Sequence, residues 1–242
     1  MARKKSPADS AVSLLNRFPV TDMARAVFKS GAERERFLSE YVESEFHGRT
    51  YSPFREVAPA IHEVTLGLDA SPPPNLEDIE AAIFRQCKRM KRAVKDNTRN
   101  NVAVARLLFE LVRDPDIRRP AYYYDGPNSL EVARQRFIPI NLRFHLVDRD
   151  RPVFRFPQPR AQLSIDEAIL IMSVMHHAMV LGDFEDAAVE IADLSRPDAK
   201  RPREARIIRL RDEELMSRDA LQTEAQSVYD LLREIARSHG RP

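Results

Sequence analysis

Alternating hydrophobic and polar positions mark the clearest element of this chain. Apolar side chains occupy every second position from residue 138 to residue 146, with Pro139, Asn141, Arg143 and His145 between them. A period of two predicts a half-buried β-strand. The charged residues 148–151 predict a turn, and residues 153–156 predict a second strand that returns beside the first.

The first half of the chain follows the helical period instead. Apolar residues recur three or four positions apart over residues 33–46, and again from Ile83 to Val112. The second set predicts one long helix over about residues 76–112, and the polar run at 97–101 interrupts or divides it. Three consecutive prolines within residues 71–75 predict a stiff linker. Residues 1–10 predict a flexible tail.

The remainder of the second half is predicted to contain a helix, two strands and a final helix. Ser164 and Glu167 have the spacing of a capping box, which predicts a helix start. The helix that follows, residues 165–181, is apolar on nearly every side and is expected to be central and buried. Residues 188–194 and 205–210 predict a second pair of strands. Residues 213–238 predict a closing amphipathic helix.

These elements together predict an α+β fold. Its N-terminal half is mostly helical, and its C-terminal half is a ββαββα unit with a small antiparallel sheet around a buried helix. The expected organisation is a tail at 1–10, a helical region at 11–129 with the linker at 71–75, and an α+β region at 130–242.

Composition narrows the class of protein without naming a function. The chain has 242 residues, 43% of them hydrophobic, and a net charge of +2. Its single cysteine, Cys87, excludes an intrachain disulfide and a cysteine zinc site, which favours a cytoplasmic location. The apolar residues 168–181 are too few to span a bilayer, so no membrane association is expected. Scattered glycines provide no phosphate-cradling loop, and no cofactor is predicted.

Positive charge is concentrated in residues 85–99. On a continuous helix, five of these cations share an arc of about 80° and span roughly 21 Å, away from the apolar side: Arg85, Lys88, Arg92, Lys95 and Arg99. Like charges three and four positions apart repel one another. This repulsion motivates an anionic partner, either nucleic acid or an acidic protein surface. The alternative is a solvated face whose charge is neutralised by Glu40, Glu43 and Glu45.

A second basic segment covers residues 196–211. It is expected to connect two strands, and its tip carries three candidate phosphate contacts: Lys200, Arg201 and Arg203. An exposed loop that keeps the edge of the sheet soluble is the other interpretation.

Three smaller groups complete the candidates. Tyr122, Tyr123 and Tyr124 follow two arginines, so they either stack on bases or anchor a loop to the core. His176 and His177 are neighbours on a helix and point about 100° apart, which favours a structural role. Carboxylates of the second half form a metal site if Glu190, Asp193 and His145 converge.

The leading functional prediction is a non-catalytic protein that binds DNA or RNA non-specifically through phosphates at the basic helix face. One alternative is a protein-interaction or scaffold module that uses the same face. A second alternative is a metal-dependent hydrolase with carboxylates in the C-terminal half. The sequence leaves open the choice between DNA and RNA and the oligomeric state.

Overall fold

The computed structural model describes residues 18–44, 49–63, 75–90, 93–198 and 200–239. The predicted tail at 1–10 and most of the predicted linker at 71–75 lie outside these residues. Within them, no helix is long and apolar enough to cross a membrane.

The N-terminal half is helical, as predicted. Its helices are α1 (Val20–Val27), α2 (Gly31–Glu43), α3 (Ser52–Ile61), α4 (Leu76–Met90) and α5 (Val94–Leu111). Pro53 lies in the first turn of α3, where a missing amide hydrogen costs nothing. Ile79, Ile83 and Cys87 form the buried side of α4, four residues apart.

The C-terminal half has the predicted ββαββα order. Three short strands come first: β1 (Ala121–Tyr123), β2 (Ser129–Ala133) and β3 (Arg136–Pro139). The unit itself follows as β4 (Phe144–Asp148), β5 (Arg151–Gln158), α6 (Ile165–Met179), β6 (Ala188–Asp193), β7 (Arg206–Arg209) and α7 (Arg218–Ser238). The capping box is confirmed, because Ser164 Oγ accepts from the Glu167 amide at 3.1 Å and the Glu167 carboxylate accepts from the Ser164 amide at 2.9 Å.

Five strands form one sheet in the order β1-β4-β5-β6-β7. All neighbouring pairs are antiparallel except β5 and β6, which are parallel and joined through α6. The sheet is therefore mixed, where the sequence analysis expected an antiparallel one. A parallel pair needs a long crossover connection, and α6 supplies it.

The predicted continuous strand over 138–146 is divided in two. Asn141 has a φ of +61°, a left-handed conformation that ends extended structure. Residues before it pair with β2 as the β2–β3 hairpin, and residues after it form β4. The alternation of burial continues through the break, since Ile138, Ile140, Leu142 and Phe144 are all buried.

The predicted long helix over 76–112 is also divided, and at a different place. Helix α4 ends at Met90 and α5 begins at Val94, while Ala93 adopts φ +44°. The polar run at 97–101 lies inside α5. Asn101 is buried there, where its side-chain amide donates to the Thr50 and Asn97 carbonyls and its oxygen accepts from the Phe54 amide. This asparagine therefore ties α5 to α3.

Helices α4 and α5 form an antiparallel hairpin. Arg106, in the second half of α5, donates two hydrogen bonds to the carboxylate of Glu80, at 2.6 and 3.0 Å. Glu80 lies in the second turn of α4. A contact between the start of α4 and the later part of α5 means that the two helices run in opposite directions from the connection at 91–93. With α3, the hairpin forms a separate hydrophobic cluster that contains Phe54, Ile83, Cys87 and Leu108.

Helices α3 and α6 lie on opposite faces of the sheet. Side chains of residues paired across neighbouring strands share a face. His62, at the end of α3, contacts the Phe144 ring at 4.8 Å, on the face shared with Arg155. Phe184, which follows α6, contacts the Phe154 ring at 5.3 Å on the other face. The helix α6 is buried there, as its sequence predicts.

A row of three charged side chains crosses the sheet on the α3 side, and two of them, Arg155 and Glu190, are buried. Arg155, Glu190 and Arg209 are neighbours on β5, β6 and β7. Arg155 Nε donates to Glu190, and Arg209 Nε donates to the other oxygen of the same carboxylate at 2.7 Å. Only 2% of Arg155 and 3% of Glu190 are exposed. Burial lowers the pKa of Arg155, and the charge of Glu190 acts in the opposite direction.

The first prediction concerns this row. Replacing Glu190 with Gln leaves Arg155 buried without a counter-charge, so we expect a loss of about 3–5 kcal/mol in the free energy of unfolding. Urea denaturation measures it. Glu185→Gln, at an exposed acidic position, is the control and should change stability by less than about 0.5 kcal/mol. Equal stability of the two variants would show that the buried pair is not needed.

The second prediction concerns the connection of the α4–α5 hairpin. A left-handed conformation costs a non-glycine residue roughly 1–2 kcal/mol, whereas glycine adopts it freely. We therefore expect Ala93→Gly to raise the free energy of unfolding by up to about 1 kcal/mol after the entropic cost of glycine is subtracted. Ala81→Gly, at an exposed position inside α4, should lower it by about 1 kcal/mol. Destabilisation by both variants would contradict the break at Ala93.

Candidate protein-interaction surface

The basic residues of 85–99 do not form one stripe. Arg85 and Lys88 lie on α4, Lys95 and Arg99 lie on α5, and Arg92 is outside the described residues. The expected arc of about 80° over roughly 21 Å assumed a continuous helix, so that geometry is wrong. The four described cations instead lie within two turns of the closed end of the α4–α5 hairpin.

The hairpin tip, defined here as Phe84, Arg85, Lys88, Arg89, Lys95 and Arg99, is an exposed cationic surface. Arg99 contacts Asp96 at 3.1 Å, but both side chains are mostly exposed and such a pair contributes little. Among the described residues, no carboxylate lies within ion-pair distance of Arg85, Lys88, Arg89 or Lys95. The positive charge of the tip is therefore largely uncompensated within the described protein.

The acidic residues expected to neutralise this charge lie elsewhere. Helix α2, which carries Glu40 and Glu43, packs against α7. The Glu43 carboxylate lies 3.2 Å from Nε2 of His239, and Glu40 is exposed. Glu45 is outside the described residues. Glu40 and Glu43 therefore do not neutralise the basic residues of 85–99 that the structure describes.

Phe84 gives the hairpin tip an apolar component that the sequence analysis missed. Its side chain is 51% exposed, although it follows the fully buried Ile83. The helical position of Phe84 could have indicated this exposure. Phe84 is about 100° from Ile83 around the helix, outside the buried side formed by Ile79, Ile83 and Cys87. An exposed ring one turn from Lys88 combines apolar area with positive charge.

A shallow groove adjoins the hairpin tip. It has a volume of about 230 Å³ and lies between the start of α3 and the end of α4. Ser52, Pro53 and Glu56 form one wall, and Gln86, Arg89 and Met90 form the other. The exposed cations of the hairpin tip therefore adjoin a concave surface, with Arg89 belonging to both.

The second predicted basic segment is largely used within the protein. Arg203 turns inward and donates to the Pro159 carbonyl at 2.7 Å, the Leu194 carbonyl at 3.0 Å and the Tyr51 hydroxyl at 2.6 Å. It is a structural contact, not an exposed one. Lys200 and Arg201 remain exposed beside Asp198, which accepts from both of their backbone amides.

The tyrosines divide between two roles. Tyr124 is buried, and its hydroxyl donates to the Pro127 carbonyl at 3.2 Å, which anchors the loop. Tyr122 and Tyr123 are about half exposed on the edge strand β1, where Tyr122 stacks on His145 at 5.7 Å. The two helical histidines, His176 and His177, have ring planes 81° apart, and Nε2 of His177 lies 2.9 Å from the Met216 carbonyl.

The carboxylates proposed for a metal site are occupied by arginines. Glu190 accepts from Arg155 and Arg209, and Asp193 accepts two hydrogen bonds from Arg206, at 2.7 and 2.9 Å. His145 stacks on Tyr122 instead of joining them. Within the described ranges, no group of three or more His, Cys, Asp or Glu residues could hold a metal ion. The convergence on which the hydrolase alternative depends is absent from this part of the chain.

A family model for the "Sliding clamp-binding bacterial toxin SocB" matches residues 21–241, which is most of the chain. The chain therefore belongs to this family. No curated protein and no solved structure matches it. A family described by its binding to a protein overturns the leading prediction of nucleic-acid binding, and the protein-interaction alternative fits better.

Proposed function

We propose that this chain, as a member of that family, binds the sliding clamp of its host in the cytoplasm, and that the hairpin tip is the contact surface. The observation that carries the proposal is the coincidence of uncompensated cations with the exposed Phe84 ring at the end of one hairpin. Such a surface requires an acidic partner surface with an apolar depression.

The cations supply attraction at a distance. Like charges close together on a helix repel by a few tenths of a kcal/mol per pair, and an acidic partner removes that repulsion. Complementary charges at the rim of an interface mainly raise the association rate and make it sensitive to salt. Arg85, Lys88 and Lys95 have no described counter-ion, so their whole charge is available to a partner.

Phe84 supplies the apolar anchor. Binding energy at protein interfaces is concentrated in a few residues that enter well-packed pockets, and large side chains with a rigid ring are well suited to this. The groove beside the tip offers the partner a place for one of its own side chains.

The third prediction tests the two components separately by surface plasmon resonance with the host's sliding clamp. We expect Phe84→Ala to weaken binding by about tenfold or more, mainly through faster dissociation, as for an interface anchor. We expect Arg85→Glu with Lys88→Glu to slow association and to reduce its dependence on salt.

The matched control makes the same charge change elsewhere. Lys200→Glu with Arg201→Glu reverses two exposed cations on the loop between β6 and β7, and it should leave the affinity within about twofold. Equal losses in the two double variants would show that net charge matters and the hairpin tip does not. Absence of clamp binding by the unmodified chain would overturn the proposed function itself.

A further inference from the structure

A pocket at one end of the sheet carries a second, separate inference. It has a volume of about 580 Å³ and lies between α3 and residues 140–144, and Phe156 and Pro157 also line it. This volume is within the range of small-molecule sites, roughly 300–1,000 Å³. We call it the Arg55 pocket after its most unusual lining residue.

Arg55 is a half-buried arginine, and its guanidinium has no partner within the part of the chain that the structure describes. Its side chain makes no hydrogen bond or ion pair with any described residue. Burial and the like charge of Arg160 both lower the pKa of Arg55. The negative charge of Asp22 raises the pKa of Arg55, but Asp22 is buried and already forms an ion pair with Arg160. A charge partly removed from water without a counter-ion is costly, so an anion bound from outside would stabilise this position.

Two other polar groups line the same pocket. Arg143 is exposed at its rim and forms no ion pair with the described residues, and Asn141 lies two positions before it in the left-handed conformation. Glu56 also lines the pocket, but it is exposed and lies beyond ion-pair distance of both arginines. The balance among the lining side chains is one net positive charge, contributed by two arginines and one glutamate.

Apolar side chains form the rest of the wall. Phe144, Phe156, Pro157 and Leu142 are buried and border the pocket. Ligand sites typically combine an apolar lining with a few fixed polar groups that orient the ligand. The planar guanidinium of arginine matches carboxylate and phosphate oxygens in a bidentate manner.

We propose that the Arg55 pocket binds an oxyanion, a carboxylate or a phosphate, carried on an apolar body of small-molecule size. The oxyanion contacts Arg55 with Arg143 at the rim, and the apolar body lies against Phe144 and Pro157. The charged groups of this site are distinct from the proposed clamp interface, since Arg55 and Arg143 belong neither to the hairpin tip nor to the groove beside it, although Ser52 and Glu56 line both the groove and the pocket.

The fourth prediction uses calorimetric titration with three probes that share a phenyl ring: benzoate, phenyl phosphate and benzamide, the last being the neutral isostere of benzoate. The full chain is expected to bind benzoate or phenyl phosphate and not benzamide, and the comparison of the two anions identifies the preferred oxyanion. Arg55→Met should abolish this binding, Arg55→Lys should weaken it, and Glu56→Gln should strengthen it. Equal binding of benzamide, or unchanged binding by Arg55→Met, would overturn the site.

Thermal unfolding without ligand provides an independent readout of the same variant. Because Arg55 has no described counter-ion, Arg55→Met should unfold at the same temperature as the unmodified chain or higher. Arg237→Met, at an exposed position of α7 away from the pocket, is the control and should neither change the melting temperature nor affect anion binding. A melting temperature several degrees lower for Arg55→Met would mean that the guanidinium stabilises the fold internally, which contradicts the proposal.

Discussion

Glu190 is buried between Arg155 on one neighbouring strand and Arg209 on the other. One of its carboxylate oxygens accepts a hydrogen bond from Arg155, and the other accepts one from Arg209. Removing one member of such a group leaves an unpaired charge in the interior, so the three strands that carry them must stay in register. The parallel β5–β6 pair in turn requires the crossover through α6, and the buried charges require the cover of α3 and its neighbours. Helix α3 in turn packs against both helices of the α4–α5 hairpin.

Much of the fold could be predicted because period and capping are local properties. The ββαββα order, the capping box at Ser164 and the buried helix α6 all follow from patterns within about twenty residues. The two errors of continuity, at Ala93 and Asn141, arose where one residue adopts a positive φ without being glycine. Hydrophobic phase continues across both breaks, so periodicity alone could not locate them.

The candidate surface was predictable only in part, because exposure depends on which helices meet. The sequence identified Arg85, Lys88, Lys95 and Arg99 as exposed cations, and all four are. It could not show that Arg203 turns inward to Tyr51, or that Glu190 and Asp193 are used by arginines, since these contacts join residues distant along the chain. Positive charge alone does not distinguish nucleic acid from an acidic protein, and membership of a clamp-binding family decided against nucleic acid.

The central claim is that the closed end of the α4–α5 hairpin contacts the sliding clamp. Hydrogen–deuterium exchange of the chain, alone and with the clamp, tests it most directly because it needs no substitution and follows every segment at once. The account predicts slower exchange in the presence of the clamp at residues 84–90, 93–99 and 52–56, and unchanged exchange at 200–206 and in α2. Protection confined to α2, α7 or the loop before β7, with the hairpin unaffected, would contradict it.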